Sequence, residues 1–281
     1  MTPEPWGRSE RRTAVLLALV VAGVVLTGTA ALPLAVGAQS SGGVPVEYVN
    51  SASGYETATA DGWAGVQTAT VALGSSGAAV PNANDIAIES VRVEAVRTDR
   101  RVYLRTSWDD PSADTSESSV RAFADSVAVQ LPATRGKTPP IAMGSRENRV
   151  NVWLWSAGGR IQELLAGGPG TTTAFPEATL TVDQAYENGT WHVLFSRPLD
   201  PTGEARTTIP TDSADLSVAF AVWDGANMER SGRKAVSQWQ RLAVSPGAPP
   251  YQTVLWAVAG VMIVFTTLVT IAGIRRTRGE G

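Results

Sequence analysis

Apolar and polar residues alternate through the middle of this chain and run together without a break at its two ends. Period-two alternation over short stretches bounded by turn residues is the pattern of half-buried strands. It predicts strands over Trp63–Leu73, Ile86–Val96, Val102–Trp108, Asp125–Leu131, Arg149–Trp155, Ala178–Gln184, Thr190–Ser196, Leu216–Trp223 and Val236–Val244. Thr98-Asp99-Arg100-Arg101 and Asn188-Gly189 supply hairpin turns between neighbours. With about nine or ten such strands, short Gly/Pro/Asn turns and no amphipathic helical stretch, the expected fold is all-β, an antiparallel β-sandwich.

The unbroken apolar stretches imply a different environment. Thr13–Ala38 follows Arg11-Arg12 and ends on the small residues Val36, Gly37 and Ala38, so residues 1–38 read as a secretory signal or an uncleaved N-terminal anchor. Val254–Ile274 carries no charge and meets the length of roughly 20 residues needed to cross a bilayer. A transmembrane helix is therefore expected over 252–274. Arg275, Arg276 and Arg278 make 275–281 a basic tail on the cytoplasmic side, which puts the region between the two apolar stretches on the extracytoplasmic face of a membrane. Residues 39–62, rich in Gly, Ser, Ala and Thr, read as a flexible linker leading to an ordered domain over 63–245.

Composition then narrows the chemistry. The net charge is −3, and the outward-facing region is more acidic still, because Arg8, Arg11, Arg12, Arg275, Arg276 and Arg278 all lie outside it. This balance disfavours nucleic acid as a partner. The chain has no cysteine, which excludes disulfides, thiolate catalysis, iron–sulfur ligation, cysteine-type zinc sites and covalent c-type haem. Its single histidine, His192, sits inside an alternating strand and reads as structural. The remaining soft or nitrogen ligands form a short set: His192, Met143, Met228, Lys137 and Lys234.

Lys234 stands out within that set. Of 23 basic residues only Lys137 and Lys234 are lysines, and an amine, unlike a guanidinium, can lose its proton. It lies in the stretch Ala219–Leu242, where one alternating run ends at Asp224-Gly225-Ala226-Asn227 and a second begins after the lysine. Trp153 and Trp155 fall on one face of their strand, either as ordinary core or as a lining for a flat ligand. Asp109, Asp110 and Asp114 lack the glycine-containing loop of a calcium hand, and Gly167-Gly168-Pro169-Gly170 lacks the Lys-Ser/Thr ending of a phosphate cradle.

Several segments occur in a familiar order: Trp108-Asp109-Asp110-Pro111, Pro140-Ile141-Ala142-Met143-Gly144, Val150–Trp155, and Phe220–Gly225 leading to Gly232–Ser237. Over roughly residues 60–245 the chain resembles the haem-b-binding gamma subunits of the type II dimethyl sulfoxide reductase family. That group includes ethylbenzene dehydrogenase, dimethylsulfide dehydrogenase, selenate and chlorate reductases, and archaeal nitrate reductases. The resemblance implies a β-sandwich holding one non-covalent haem b, with axial ligands at Met143 and Lys234; Trp153, Trp155 and Trp223 are then expected to pack against the macrocycle edges. It implies an electron-transfer role beside a molybdopterin catalytic subunit and an iron–sulfur subunit; the membrane span, a departure from the soluble members, adds the expectation of a membrane cytochrome b or a Rieske protein nearby. The competing expectation is a membrane-anchored, DOMON-like ligand- or sugar-binding module, with Trp153 and Trp155 as a stacking platform and no redox role.

Overall fold

The computed structural model describes residues 43–203, 205–212, 216–245, 256 and 258–267. The expected signal segment 1–38, the basic tail 275–281 and most of the expected span 252–274 lie outside the described residues. All the described residues belong to one unit of the chain, Gly42–Gly281.

The described chain is mostly β. Its strands are β1 (Val44–Tyr48), β2 (Ala69–Ala72), β3 (Gly74–Ser75), β4 (Ser90–Arg97), β5 (Arg101–Asp109), β6 (Ser126–Pro132) and β7 (Val150–Ser156). They continue with β8 (Arg160–Ala166), β9 (Thr173–Ala174), β10 (Thr181–Glu187), β11 (Thr190–Pro198), β12 (Leu216–Trp223), β13 (Ala235–Val236) and β14 (Gln240–Val244). The ladder runs β10-β11-β5-β4-β1-β14-β12-β6-β7-β8-β9. Strand β12 belongs to both halves. Leu216–Val218 pair with β14, whereas Ala219–Trp223 pair with β6. The ladder thereby forms two sheets that bury a common core, in which Val93 and Leu104 of one half meet Val129, Trp153 and Phe220 of the other.

The hairpin between β10 and β11 forms where Asn188-Gly189 predicts it. Both residues have positive φ, 51° and 77°, as a two-residue loop between twisted strands requires.

Four expectations are corrected. Val44–Tyr48, expected in the linker, is a strand whose Val44 and Val46 are fully buried between β4 and β14. That strand is parallel to both neighbours, so the sheet is not purely antiparallel. The expected first strand is split: Asp61–Gly65 is a short 3-10 turn that buries Trp63, and the strand begins only at Ala69. Finally, β8 lies where no strand is expected, yet it pairs with all of β7.

At the C-terminus, residues 256 and 258–267 are helical. Among the described residues no helix is long and apolar enough to cross a membrane.

Candidate functional site

The second sheet has two faces because side chains alternate across a strand. On β7, Trp153 and Trp155 point into the shared core, whereas Val150 and Val152, with Leu154 packed beside them, point outward. The outward face also carries Ala128 of β6, Leu164 and Ala166 of β8, and Ala221 and Trp223 of β12. Ala128 and Ala221 place only methyl groups on this face. Packed on it are Met143, from the loop between β6 and β7, and Trp239, from the segment between β13 and β14.

The Met143 loop is held in an uncommon backbone conformation. Met143 has φ 63° and Gly144 has φ 74°, and a non-glycine residue in that region is costly unless its surroundings impose it. Here they do. The Met143 amide donates to Ile141 O (2.8 Å), the Gly144 amide donates to Pro140 O (2.9 Å), and the Gly168 amide donates to Met143 O (2.9 Å). Gln130 Nε2 donates to Ile141 O at 3.1 Å, and Trp239 Nε1 donates to Pro139 O at 2.9 Å. The loop is thus fixed from three directions with the methionine side chain partly exposed on the apolar face.

Lys234 reaches the same neighbourhood through strand register. β13 pairs with β12 at Ala221↔Val236 and Val222↔Ala235, so the next step of the ladder sets Lys234 beside Trp223. Its Nζ stands 4.8 Å from the centre of the Trp223 ring. Among the described residues no carboxylate pairs with this amine, and burial pushes its pKa below that of an ordinary lysine. Losing its proton therefore costs this lysine less than it costs an exposed one, and the neutral amine is the state that binds a metal.

Of the residues singled out in the sequence, Met143 and Trp223 pack on the same apolar face, and Lys234 stands over Trp223. It does not bring Trp153 and Trp155 to them. These two are buried on the opposite face, where Trp155 packs edge-on against Trp108 and Trp191 with ring centres 6.4 and 5.0 Å away. His192 is on β11 in the other sheet, and Lys137 is exposed in a loop. Trp239 escapes a reading of the sequence, because alternation places it in a strand and gives no hint that its indole pins Pro139.

Fold and site together define an all-β, two-sheet domain that presents a methionine and an unpaired lysine around one apolar face. The family model for ethylbenzene dehydrogenase matches residues 60–177 and 174–235, and the chain belongs to that family. It is 43% identical over 97% of its length to a protein described as a putative respiratory nitrate reductase heme subunit, of which it covers 99%, from Haloferax mediterranei. It is 37% identical over 56% of its length to the chlorate reductase subunit gamma of Ideonella dechloratans, covering 65% of that protein. Among solved structures, a family 9 carbohydrate-binding module from Caldicellulosiruptor kristjanssonii in complex with cellotriose aligns over 74% of this chain and 95% of its own, at 12% identity and a TM-score of 0.46. A likeness that distant carries no argument about function.

Proposed function

We propose that this chain is the electron-transfer subunit of a molybdenum oxidoreductase complex, of the nitrate reductase kind, and that it holds one haem b on the outer face of its second sheet. Met143 and Lys234 are the axial ligands in this reading, and Trp223 lines the pocket. The observation that carries it is a constrained methionine and a half-buried lysine without a carboxylate partner, both placed against Trp223 and its apolar face. A thioether and a neutral amine suit haem iron, and an apolar face of Ala, Val and Leu side chains suits a macrocycle. Held by Met143 and Lys234, a haem would supply one-electron transfer. The protein's own part is to hold Met143 in place through the Trp239–Pro139 and Gln130–Ile141 contacts, and to strip water from Lys234.

The named functions of the relatives support the complex: a nitrate reductase heme subunit matched along nearly its whole length, and a chlorate reductase gamma subunit. The partners in this reading are a molybdopterin catalytic subunit and an iron–sulfur subunit, with a membrane cytochrome b or Rieske protein as the further electron carrier. We place the domain on the extracytoplasmic face, exported through the segment 1–38 and anchored by the span 252–274. The charge-free run Val254–Ile274 supports the anchor, as does the exposure of Val261, Met262 and Phe265 in its helical part. Thr266 and Thr267 donate their hydroxyls back to Met262 O and Ile263 O, so neither needs water there.

The test is the dithionite-reduced absorption spectrum of the full chain, made in haem-sufficient cells, beside Met143→Ala and Lys234→Ala. A low-spin b-type spectrum in the parent, altered in both variants, is the expected result. A folded parent chain without a Soret band would overturn the assignment.

A further inference from the structure

Three strand ends converge at one edge of the domain. Asp110 follows β5, Asp125 precedes β6 and Asp224 follows β12, and each offers a carboxylate oxygen within 4.8 Å of the other two. All are buried, with 1%, 0% and 6% of their surface exposed. Among the described residues no arginine or lysine forms an ion pair with any of them.

Their hydrogen bonds are unequal. Asp125 is well supplied: Oδ2 accepts from the Asp114 amide (2.7 Å) and Trp191 Nε1 (2.9 Å), and Oδ1 accepts from the Gly225 amide (2.8 Å). Asp224 Oδ1 accepts from the Asn227 amide at 3.0 Å. Asp110 Oδ1 accepts from the Ser112 amide at 3.1 Å, but its Oδ2 is buried without a well-formed hydrogen bond, the Trp108 indole being a nearby polar group. Native proteins seldom leave a buried carboxylate oxygen bare, and three buried carboxylates without a cation are costlier still.

We propose that Asp110, Asp125 and Asp224 bind a hard divalent cation, calcium, which ties together the ends of β5, β6 and β12. An all-oxygen, triply anionic donor set selects hard cations over soft ones. The donors arrive from three separately held strand ends, which suits calcium's tolerant coordination better than the strict octahedron of magnesium. Burial pushes Asp110 above the usual carboxylate range and Asp125 up to about 7, a cost that a bound cation relieves. The site joins the two sheets, since β5 lies in one and β6 and β12 in the other. It also begins the loop that returns the chain to Lys234.

The experiment uses the full chain after treatment with a calcium chelator, titrated with terbium. Trp191 donates directly to Asp125, so excitation of tryptophan should sensitise terbium emission, and calcium should quench it by displacement. Calcium at about a hundred times its Kd should raise the thermal midpoint by on the order of 5–10 °C. Asp224→Asn keeps the Oδ1 acceptor for Asn227 and Asp110→Asn keeps the one for Ser112, so both should fold and both should lose the emission and the shift. Absence of sensitised emission in the parent chain overturns the proposal. So does emission that survives both substitutions, or equal stabilisation by calcium, magnesium and sodium at matched ionic strength.

Discussion

The amine of Lys234 stands 4.8 Å from the centre of the Trp223 ring and has no carboxylate beside it among the described residues. An indole face attracts a cation but supplies no counter-charge, and burial depresses the pKa of Lys234. Charge and ligation can therefore be separated by one substitution. Lys234→Arg keeps the positive charge and the contact with Trp223 but cannot offer a neutral nitrogen. It is expected to fold as the parent does and to lose the low-spin b-type spectrum, as Lys234→Ala does. Retention of that spectrum in the arginine variant would show that the lysine is not a ligand.

The backbone around Met143 gives a second prediction. A Cβ on Gly144 would stand 2.5 Å from Asn148 O, and its φ of 74° already disfavours any side chain. Gly144→Ala should cost about 1–3 kcal/mol in chemical denaturation. Because the clash displaces the loop that presents Met143, the variant should also show an altered reduced spectrum. An equal loss of stability with an unchanged spectrum would separate the loop from the site.

Trp153 tests which face matters. It is fully buried in the core, its ring centre 6.2 Å from that of Phe195 and 4.8 Å from the guanidinium carbon of Arg197. Trp153→Phe should lose about 0.5–3 kcal/mol of stability and leave the haem spectrum unmoved. Trp223→Phe, on the outward face, should do the reverse.

That contrast marks what is legible in the sequence. Alternation identifies β4 through β7 and β10 through β12 because each has one face toward the core, and the Asn188-Gly189 turn fixes its own hairpin. Alternation says which residues share a face but not which face is inside, so it groups Trp153 with Trp155 without revealing that both face the core. Strand β1 is hidden by its Gly- and Ser-rich approach, and β8 by Glu163, a charged residue at a core position where Arg197 meets it. Met143 and Lys234 stand out in the sequence through motif order and, for the lysine, residue scarcity. The Asp110–Asp125–Asp224 cluster is not, since its members come from three strand ends and no local spacing joins them.

His192 carries a pH prediction. Its Nδ1 is buried without a partner, and burial followed by the charge of Arg105 lowers its pKa from the ordinary value. Arg92 acts in the same direction, while Glu187 and Glu94 oppose it. The unfolded chain thus binds the proton more readily, so the histidine's contribution to stability falls as pH drops through about 6.5 toward the folded pKa. His192→Asn should flatten that part of the stability curve while leaving the neutral-pH haem spectrum intact. An unchanged acid limb in the variant would assign the loss to other groups.

The most buried ion pair among the described residues joins the two sheets. Arg197 of β11 and Glu163 of β8 are both shielded from solvent, 3.1 Å apart, and Arg197 Nη1 also donates to Asn151 Oδ1 at 3.0 Å. Arg206 Nε lies 3.3 Å from Glu163 Oε2, and Thr179 donates to that oxygen from both its amide and its hydroxyl at 3.0 Å. Desolvation draws the Arg197 pKa down to about 10, still well above neutrality, so the guanidinium stays charged in the native state. Removing one member strands the other, and breaking such a pair typically costs about 3–5 kcal/mol. Arg197→Met should approach the lower end of that range, because Arg206 and Thr179 still hold Glu163. Arg197→Met with Glu163→Gln should recover much of the loss, since no buried carboxylate then remains at the position. Equilibrium denaturation of the two variants beside the parent decides it, and a double variant weaker than the single would mean that the pair contributes net stability rather than avoiding a penalty.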